Sequence, residues 1–306
     1  MRFGISIPQD VPADGFDPAG LRAFLTRAEE LGFESAWTQE QVLSHKPTLG
    51  AIETMTYAAA CTDQLRIGCS VFVTPLHSPV HLAKSLGTLD QLSQGRLEVG
   101  VGTGGKRRPF AAFGMDGEGL ITRFTEGLQL MRALWTQEKV TFDGRFWQLD
   151  GMSMEPKPVQ AGGPPIWFGA SAEAALKRAV RLGDGFFGAG STSTAQFVEQ
   201  MRIVRAELDQ QDRDPSTFPI AKRVYLTIDD DTARAKERMG AALNEIYGPL
   251  GMPDLTPVSV YGSAQECVDG LRAVAAAGAE RILLNPLFDQ YEQMERLAAE
   301  VVPHFG

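Results

Sequence analysis

The sequence predicts an α/β fold of the (β/α)8 class, a TIM barrel with a helix and a hairpin inserted after strand 4. Eight short apolar segments are typical of strands, and most of them are followed by a helical pattern of apolar residues. The chain has 306 residues, a length that α/β barrels reach as one domain. A single domain over residues 1–306 is therefore predicted. A doubly wound sheet is the alternative, but a run of βα units without a second domain favours closure.

The elements follow one another in a regular order along the chain. The predicted strands are 3–7, 35–38, 65–73, 96–101, 166–168, 185–188, 220–228 and 281–284. Helical patterns cover 18–31, 54–60, 79–94, 124–135, 172–182, 197–208, 232–247 and 264–277, and a further helix ends the chain. Asp17-Pro18 and Ser78-Pro79 each supply an N-cap and a first helical residue, and Ser263 with Glu266 forms a capping box.

The regular alternation breaks between residues 102 and 162. An amphipathic helix over 124–135 is followed by Asp143-Gly144 between two short apolar runs. This dipeptide predicts a β-hairpin with a two-residue type I′ turn.

Composition and charge exclude several classes of function. Hydrophobic residues make up 43% and charged residues 22% of the chain, as in soluble globular proteins. The net charge of −9 argues against nucleic acid or an anionic membrane as a partner. No apolar run reaches membrane length and no signal peptide is predicted. The three cysteines are too few for a disulfide framework, so we expect a reduced, cytoplasmic protein.

In a barrel, functional residues lie on the loops after the strands. Glu40 closely follows the second predicted strand, and His45 and His77 lie on such loops. These three are the candidate catalytic residues, because carboxylates and imidazoles transfer protons. For each of the two histidines, a plain solvated side chain is the alternative. His77 and His81 are four residues apart but lack a third ligand, so no metal site is predicted. Glu98 lies within the fourth strand, so it either faces outward or bonds to a neighbour.

The segment 163–190 has the pattern strand, turn, helix, strand, and its turn contains only small residues. Ser171 is predicted as the N-cap of the helix. Gly169, Ala170 and Ser171 leave the first backbone N–H groups accessible, an arrangement that favours a bound anion. A well-capped βα turn with nothing bound is an equally good interpretation of this segment alone.

A glycine-rich segment with a cationic run follows the fourth strand. Gly100 to Gly105 matches the dinucleotide pattern GxGxxG, but Lys106, Arg107 and Arg108 follow where a helix would have to begin. We therefore expect the glycines to let a flat ligand lie beside the backbone. The cations either bind an anion or form a solvated surface.

Several linked segments resemble the bacterial luciferase-like monooxygenase superfamily. They are 65–75, 78–80, 83–84, 88–104, Arg123 with Glu126, 142–146, 156–160, 164–167, Ala179 and 183–186. The resemblance covers nearly the entire chain and implies a barrel that binds a flavin or a deazaflavin. We also expect a homodimer.

Within this superfamily the sequence is more similar to the branch that uses coenzyme F420. There, a bulged third strand carries a non-prolyl cis peptide that supports the ring, and Ser70-Val71 occupies that place. The resemblance also assigns the small-residue turn to the cofactor phosphate. Together with the glycine-rich segment and the cationic run, the residues expected to bind the cofactor are Ser70, Val71, Thr74, Gly102, Thr103, Gly104, Gly169, Ala170, Ser171, Arg107 and Arg108.

Two positions depart from the sugar-phosphate dehydrogenases of this branch. Those enzymes have an Asp-His pair after strand two, where this chain has Glu40-Gln41, and a Glu after the fourth-strand glycines, where it has Gly105. We expect hydride transfer between F420 and a small organic substrate. An FMN-dependent monooxygenase is the alternative, and a non-catalytic flavin-binding barrel is a third hypothesis.

Overall fold

The structure is a computed structural model that describes residues 1–43, 45–105, 110–115 and 117–306. Parallel strands alternate with helices in the predicted order. The strands are β1 (Arg2–Ser6), β2 (Ser35–Thr38), β3 (Arg66–Val73), β4 (Leu97–Gly102), β5 (Val140–Asp143), β6 (Gln148–Met152), β7 (Ile166–Gly169), β8 (Gly185–Gly188), β9 (Ile220–Ile228), β10 (Val260–Gly262) and β11 (Arg281–Asn285). The helices are α1 (Pro18–Glu30), α2 (Ala51–Cys61), α3 (Pro79–Leu92), α4 (Leu120–Thr136), α5 (Glu173–Leu182), α6 (Thr194–Gln210), α7 (Thr232–Tyr247), α8 (Ala264–Ala276) and α9 (Gln290–Arg296).

The chain divides into two compact units. The first comprises Met1–Pro8, Gly15–Trp37 and Trp167–Gly306, and the second comprises Gln9–Asp14 and Thr38–Ile166. The single domain over residues 1–306 stays a prediction.

The first unit contains a parallel sheet whose strands pair in the order β2, β1, β11, β9, β8, β7. The short strand β10, which the sequence did not predict, pairs with the last residues of β9. One buried cluster draws a side chain from each of five strands: Trp37, Trp167, Phe187, Ala221 and Leu283. Its three rings meet edge to face at centroid distances of 4.8–6.3 Å, a geometry that adds about 0.5–1.5 kcal/mol per pair to the burial of the rings.

The second unit contains the parallel pair β3–β4 and the helix and hairpin predicted as an insertion after the fourth strand. Buried leucines of α3 and apolar residues of α4 form its helical core. The indole Nε1 of Trp135 donates to the carbonyl oxygen of Ala83 at 3.0 Å. Glu98, only 2% exposed, forms an ion pair with Arg66, so the bonded alternative predicted for Glu98 is confirmed.

Helix starts confirm most of the capping predictions. The Asp17 carboxylate accepts the N–H groups of Ala19 and Gly20, and the Ser78 hydroxyl accepts that of His81. Ser263 and Glu266 form the reciprocal capping box. Each of these bonds satisfies a backbone donor that a helix start leaves open.

The predicted type I′ turn at Asp143-Gly144 is wrong. Asp143 pairs with Gln148, so the connection spans four residues, and neither residue of the dipeptide has a positive φ. The Glu126 side chain on α4 explains the wider loop, because its two oxygens accept the backbone N–H groups of Arg145 and Phe146, each at 2.9 Å.

Candidate active site

Two of the predicted catalytic residues, Glu40 and His77, are in contact within the second unit. Glu40 lies two residues after β2 and is 8% exposed. Its Oε1 lies 2.6 Å from Nε2 of His77, and its Oε2 accepts the backbone N–H of Val73 at 2.7 Å. His77 directly follows the short 3-10 helix Thr74–Leu76. The Glu40–His77 pair therefore joins the loops that follow β2 and β3.

The arrangement fixes the role of each imidazole nitrogen. With Nε2 donating to the carboxylate, Nδ1 is the nitrogen that remains to accept or release a proton. The His77 side chain is 24% exposed, so the ring is accessible to a ligand, and it packs edge-on against Phe72 at a centroid distance of 6.3 Å. A buried carboxylate that orients a partly exposed imidazole is an arrangement suited to general acid–base chemistry.

Gln9, which sequence reasoning missed, holds the loop that carries Glu40. Its side-chain oxygen accepts the backbone N–H of Gln39 at 2.6 Å. Its side-chain nitrogen donates to the carbonyl oxygens of Gln39 and Leu49, each at 3.0 Å. A glutamine with this role has no sequence signature, because its partners are backbone groups 30 and 40 residues away.

The carboxyl end of β3 has the backbone that the family resemblance implies. The peptide bond between Ser70 and Val71 is cis, and the register of β3 against β4 shifts between Cys69 and Phe72. Thr74 follows directly after the strand, and its buried Oγ1 has no hydrogen-bond partner among the described residues. A buried hydroxyl without a partner is uncommon in folded proteins and suggests a group that the structure does not contain.

The end of β4 lies beside the end of β3, because Gly102 is in register with Val73. Gly104 has a φ of +72°, a conformation that glycine adopts without strain. The Thr103 hydroxyl donates to the carbonyl oxygen of Gly104 at 3.3 Å. The structure thus brings Ser70, Val71, Thr74 and Gly102 to the same two strand ends.

The predicted phosphate turn, Gly169 to Ser171, belongs to the first unit and begins at the last residue of β7. The prediction that Ser171 is the N-cap of the next helix is wrong: α5 begins at Glu173 and its N-cap is Ala172. Because Ala172 remains extended and carries no acceptor, no side chain caps this helix. The uncapped start suits an anion, although Glu173 in the first turn, paired with Lys177 at 2.7 Å, adds a negative charge nearby.

The remaining predicted site residues are His45 and the cationic run after the fourth strand. His45 is exposed and makes no hydrogen bond or ion pair with the residues that the structure describes. Lys106, Arg107 and Arg108 lie outside the described residues.

Several features of the described residues fit a flavin-type ring. Polar and backbone groups lie close together at the ends of β3 and β4. They are the unpartnered Thr74 hydroxyl, the cis peptide before it and the small residues at the end of β4. Close approach of a flat ligand requires such small residues. The imidazole of His77 is a group of the kind that transfers protons in hydride chemistry on a carbonyl or alcohol.

Comparison with known proteins identifies the family. The family model described as luciferase-like monooxygenase matches residues 1–281. An F420-dependent glucose-6-phosphate dehydrogenase of Beutenbergia cavernae is 27% identical, with 95% of this chain and 94% of that protein covered.

Solved structures show the fold. The monooxygenase RslO1 from Streptomyces bottropensis superposes with a TM-score of 0.87 at 24% identity and covers all of both chains. An F420-dependent secondary alcohol dehydrogenase, solved with an F420–acetone adduct, gives 0.84 at 20% identity over 98% of each chain. The fold is the TIM barrel, a closed barrel of eight parallel strands with helices between them, and the predicted fold class is confirmed. Among the described residues, no helix is both long and apolar enough to cross a membrane.

Proposed function

Because this chain belongs to the luciferase-like monooxygenase family, and is thus an oxidoreductase of that family, we propose that it transfers a hydride between coenzyme F420 and a small organic substrate. The relative of Beutenbergia cavernae, named as F420-dependent, supports this cofactor. Ser70, Val71, Thr74 and 102–104 hold the ring in this proposal. Gly169, Ala170 and Ser171 bind the phosphate, and Arg107 and Arg108 are further proposed contacts.

The Glu40–His77 contact is the observation that carries the proposal. The sugar-phosphate dehydrogenases of the resembled branch have a histidine next to the acidic residue after strand two, where this chain has Gln41. His77 brings an imidazole to the carboxylate of Glu40 from the following loop instead. In this proposal, His77 therefore takes the place of the histidine that the family pattern has after strand two.

The division of work between cofactor and protein follows from this geometry. The deazaflavin, when bound, supplies or accepts the hydride. His77 Nδ1 gives a proton to the substrate oxygen during reduction or takes it during oxidation. Glu40 stabilises the charged imidazole and keeps its orientation. The chain also has to hold the substrate carbon against the ring and exclude water.

The cofactor is tested by fluorescence titration of the purified protein with F420 and with FMN. We expect F420 to bind at least about tenfold more tightly. The reverse order would contradict the F420 proposal and favour an FMN enzyme.

The proton-transfer role is tested with His77→Gln and Glu40→Gln, assayed with F420 and a panel of alcohols, ketones and enones. We expect kcat to fall by about 10²–10⁴-fold for His77→Gln, with a smaller fall for Glu40→Gln. His81→Gln is the matched control, because His81 is an exposed histidine of α3, and it should leave kcat unchanged. Equal activity of His77→Gln and the wild type would exclude the imidazole from the reaction.

The phosphate turn is tested with Ala170→Asp, which places a negative charge beside the phosphate. We expect F420 affinity to fall by about tenfold to a thousandfold. Ala233→Asp makes the same change in the first turn of α7 and should not alter affinity. Unchanged affinity of a folded Ala170→Asp variant would mean that the phosphate lies elsewhere.

An FMN-dependent monooxygenase is the second candidate, supported by the description of the matching family model. Oxygen consumption identifies this activity: a monooxygenase would consume oxygen with reduced FMN and substrate but not with reduced F420 and substrate. Tight F420 binding without turnover of any substrate in the panel would favour the third hypothesis, a non-catalytic barrel.

A homodimer in the cytoplasm completes the proposal. Light scattering of the purified protein should give twice the mass of the 33.2 kDa chain. A mass of one chain would contradict the dimer.

A further inference from the structure

The first unit contains a cleft with a volume of about 190 Å³. It lies among β9, the start of α6, α8 and the segment 257–260. The lining residues include none of the proposed catalytic or cofactor-binding residues. They are Thr192, Thr194, Lys222, Val224, Pro257, Val258, Ser259, Val260, Gly270, Ala273 and Val274. We call this space the Lys222 cleft.

Lys222 on β9 is the charged residue of the lining, and it is only 2% exposed. Its Nζ donates to the carbonyl oxygens of Ala189 at 2.5 Å and of Arg223 at 2.9 Å. Gly188 on the neighbouring strand makes room for the aliphatic stem, because a Cβ there would lie 2.8 Å from Lys222 Cδ. The amine is therefore held in a fixed position. A protonated lysine has three donors, and the two carbonyls take two of them.

The lining contains the amine of Lys222 but no acidic residue to pair with it. Neither aspartate nor glutamate lines the cleft. Burial, and secondarily the charge of Arg223, lower the pKa of Lys222 to about 7. Protonating a buried amine without a carboxylate partner is costly, and an anion in the cleft would supply that partner.

The rest of the lining is suited to an apolar body with a polar end. Val224, Val258, Val260 and Val274 contribute hydrocarbon, whereas Thr192, Thr194 and Ser259 contribute hydroxyls. An apolar cavity of about 150 Å³ accommodates benzene, so about 190 Å³ accommodates one ring with a small substituent. The cleft also reaches the surface, because Pro257 and Ala273 are exposed.

We propose that the Lys222 cleft binds a small organic carboxylate with an apolar body, the carboxylate lying against Nζ of Lys222 and the body against the valines. This ligand differs from the proposed cofactor and substrate of the oxidoreductase, and the cleft is a separate binding site. A charge-assisted bond between the ammonium and the carboxylate supplies the orientation.

Benzoate is the probe, because it has one carboxylate and a body of the required size. Binding to the wild-type protein at pH 7 is measured by calorimetry or by ligand-observed NMR. Lys222→Met keeps the stem and removes the charge, and we expect benzoate binding to weaken by about tenfold or more. Lys236→Met is the matched control, because Lys236 is an exposed lysine of α7 in the same unit, and it should bind benzoate like the wild type. Benzamide, the uncharged analogue, should bind about tenfold more weakly than benzoate.

A second variant tests the site without touching the lysine. Ala273→Leu puts bulk into the opening of the cleft from the exposed face of α8, where leucine is well tolerated in a helix. We expect it to weaken benzoate binding by about tenfold or more, whereas F420 affinity should not change. If Lys222→Met does not fold, Ala273→Leu and benzamide decide the question. Absence of benzoate binding to the wild type at millimolar concentration, or equal binding by wild type and Ala273→Leu, would overturn the proposal.

Discussion

At the scale of single residues, the hydroxyl of Thr74 is buried without a partner among the described residues, whereas the hydroxyl of Thr62 is bonded on both sides. Thr62 Oγ1 donates to the carbonyl oxygen of Ala58 at 2.8 Å and accepts from Arg96 at 2.9 Å. Replacing threonine by valine should therefore affect cofactor binding at position 74 and the stability of the fold at position 62.

Thr74→Val should leave the free energy of unfolding unchanged within about 0.5 kcal/mol, because no bond is lost, and should weaken F420 binding by about five- to thirtyfold. Thr62→Val should lower the free energy of unfolding by about 1–3 kcal/mol and leave F420 affinity unchanged. Urea denaturation and fluorescence titration measure the two quantities. A Thr74→Val protein that binds F420 like the wild type would remove Thr74 from the cofactor site.

Lys222 makes stability depend on pH in a defined direction. Its pKa is about 7 in the folded protein, against 10.5 for the unperturbed side chain. Between these values the unfolded chain binds the proton and the folded chain does not, so stability rises with pH. The contribution is complete above pH 10.5 and is lost as the pH falls to about 7.

We therefore expect the free energy of unfolding of the wild type to rise by about 1 kcal/mol per pH unit relative to Lys222→Met between pH 7.5 and 10. Taking the difference between the two proteins removes the titration of the groups that they share. Urea denaturation at several pH values provides the measurement. Parallel pH dependences would show that Lys222 keeps its proton in the folded state.

At the scale of secondary structure elements, Gly100 determines how closely β3 and β4 approach. A Cβ at this position would lie 2.1 Å from the carbonyl oxygen of Cys69, a backbone atom that cannot move without displacing the bulged strand. Gly100 belongs to the GxGxxG pattern, and the structure explains this glycine by strand packing. Beyond the immediate chain neighbours, no atom of the described residues lies within 4 Å of a Cβ built on Gly105.

Gly100→Ala should therefore lower the free energy of unfolding by about 3 kcal/mol or more, because the methyl group overpacks the β3–β4 pair. Gly105→Ala is the control and should change it by less than about 0.5 kcal/mol. Urea denaturation followed by circular dichroism measures both variants. A Gly100→Ala protein as stable as the wild type would mean that the two strands can separate locally at no cost.

The elements themselves were predictable because their signals are local. Asp17, Ser78 and the Ser263–Glu266 box mark helix starts within four residues, and apolar runs mark the strands. The hairpin turn was not predictable, because the loop is set by Glu126, which lies about 20 residues away on α4. The same limit applies to Ser171: its side chain is a good cap, but the backbone stays extended for one more residue.

The candidate site was predictable in its residues but not in its contacts. Glu40 and His77 were each identified from their positions after predicted strands, yet their contact joins residues 37 apart. The cis peptide at Ser70-Val71 followed from the family resemblance, because no local sequence pattern specifies a non-prolyl cis bond. Gln9 and Lys222 carried no sequence signal. Gln9 bonds backbone groups that are distant in sequence, and Lys222 is buried by elements that only the fold brings together.

At the scale of the whole molecule, the reactivity of the three cysteines measures how often the folded protein opens. Cys61 is partly exposed at the end of α2, whereas Cys69 and Cys267 are buried. Burial, with a smaller contribution from Glu266, raises the pKa of Cys267 to about 12. Because the thiolate is the reactive species, only about one in 10⁴ Cys267 side chains is reactive at pH 8 even before access is considered.

We expect Ellman's reagent at pH 8 to modify Cys61 alone in the native protein, and to modify Cys69 and Cys267 only as fast as the protein opens. In denaturant all three thiols should react at once. Cys61→Ser is the control and should remove the fast phase without changing the slow one. The slow phase should also become slower when F420 is added, because a ligand that binds only the folded state lowers the population of opened molecules. Rapid reaction of all three thiols in the native protein would contradict the burial of Cys69 and Cys267. A slow phase that does not change at saturating F420 would mean that the cofactor does not stabilise the part of the molecule that protects these two cysteines.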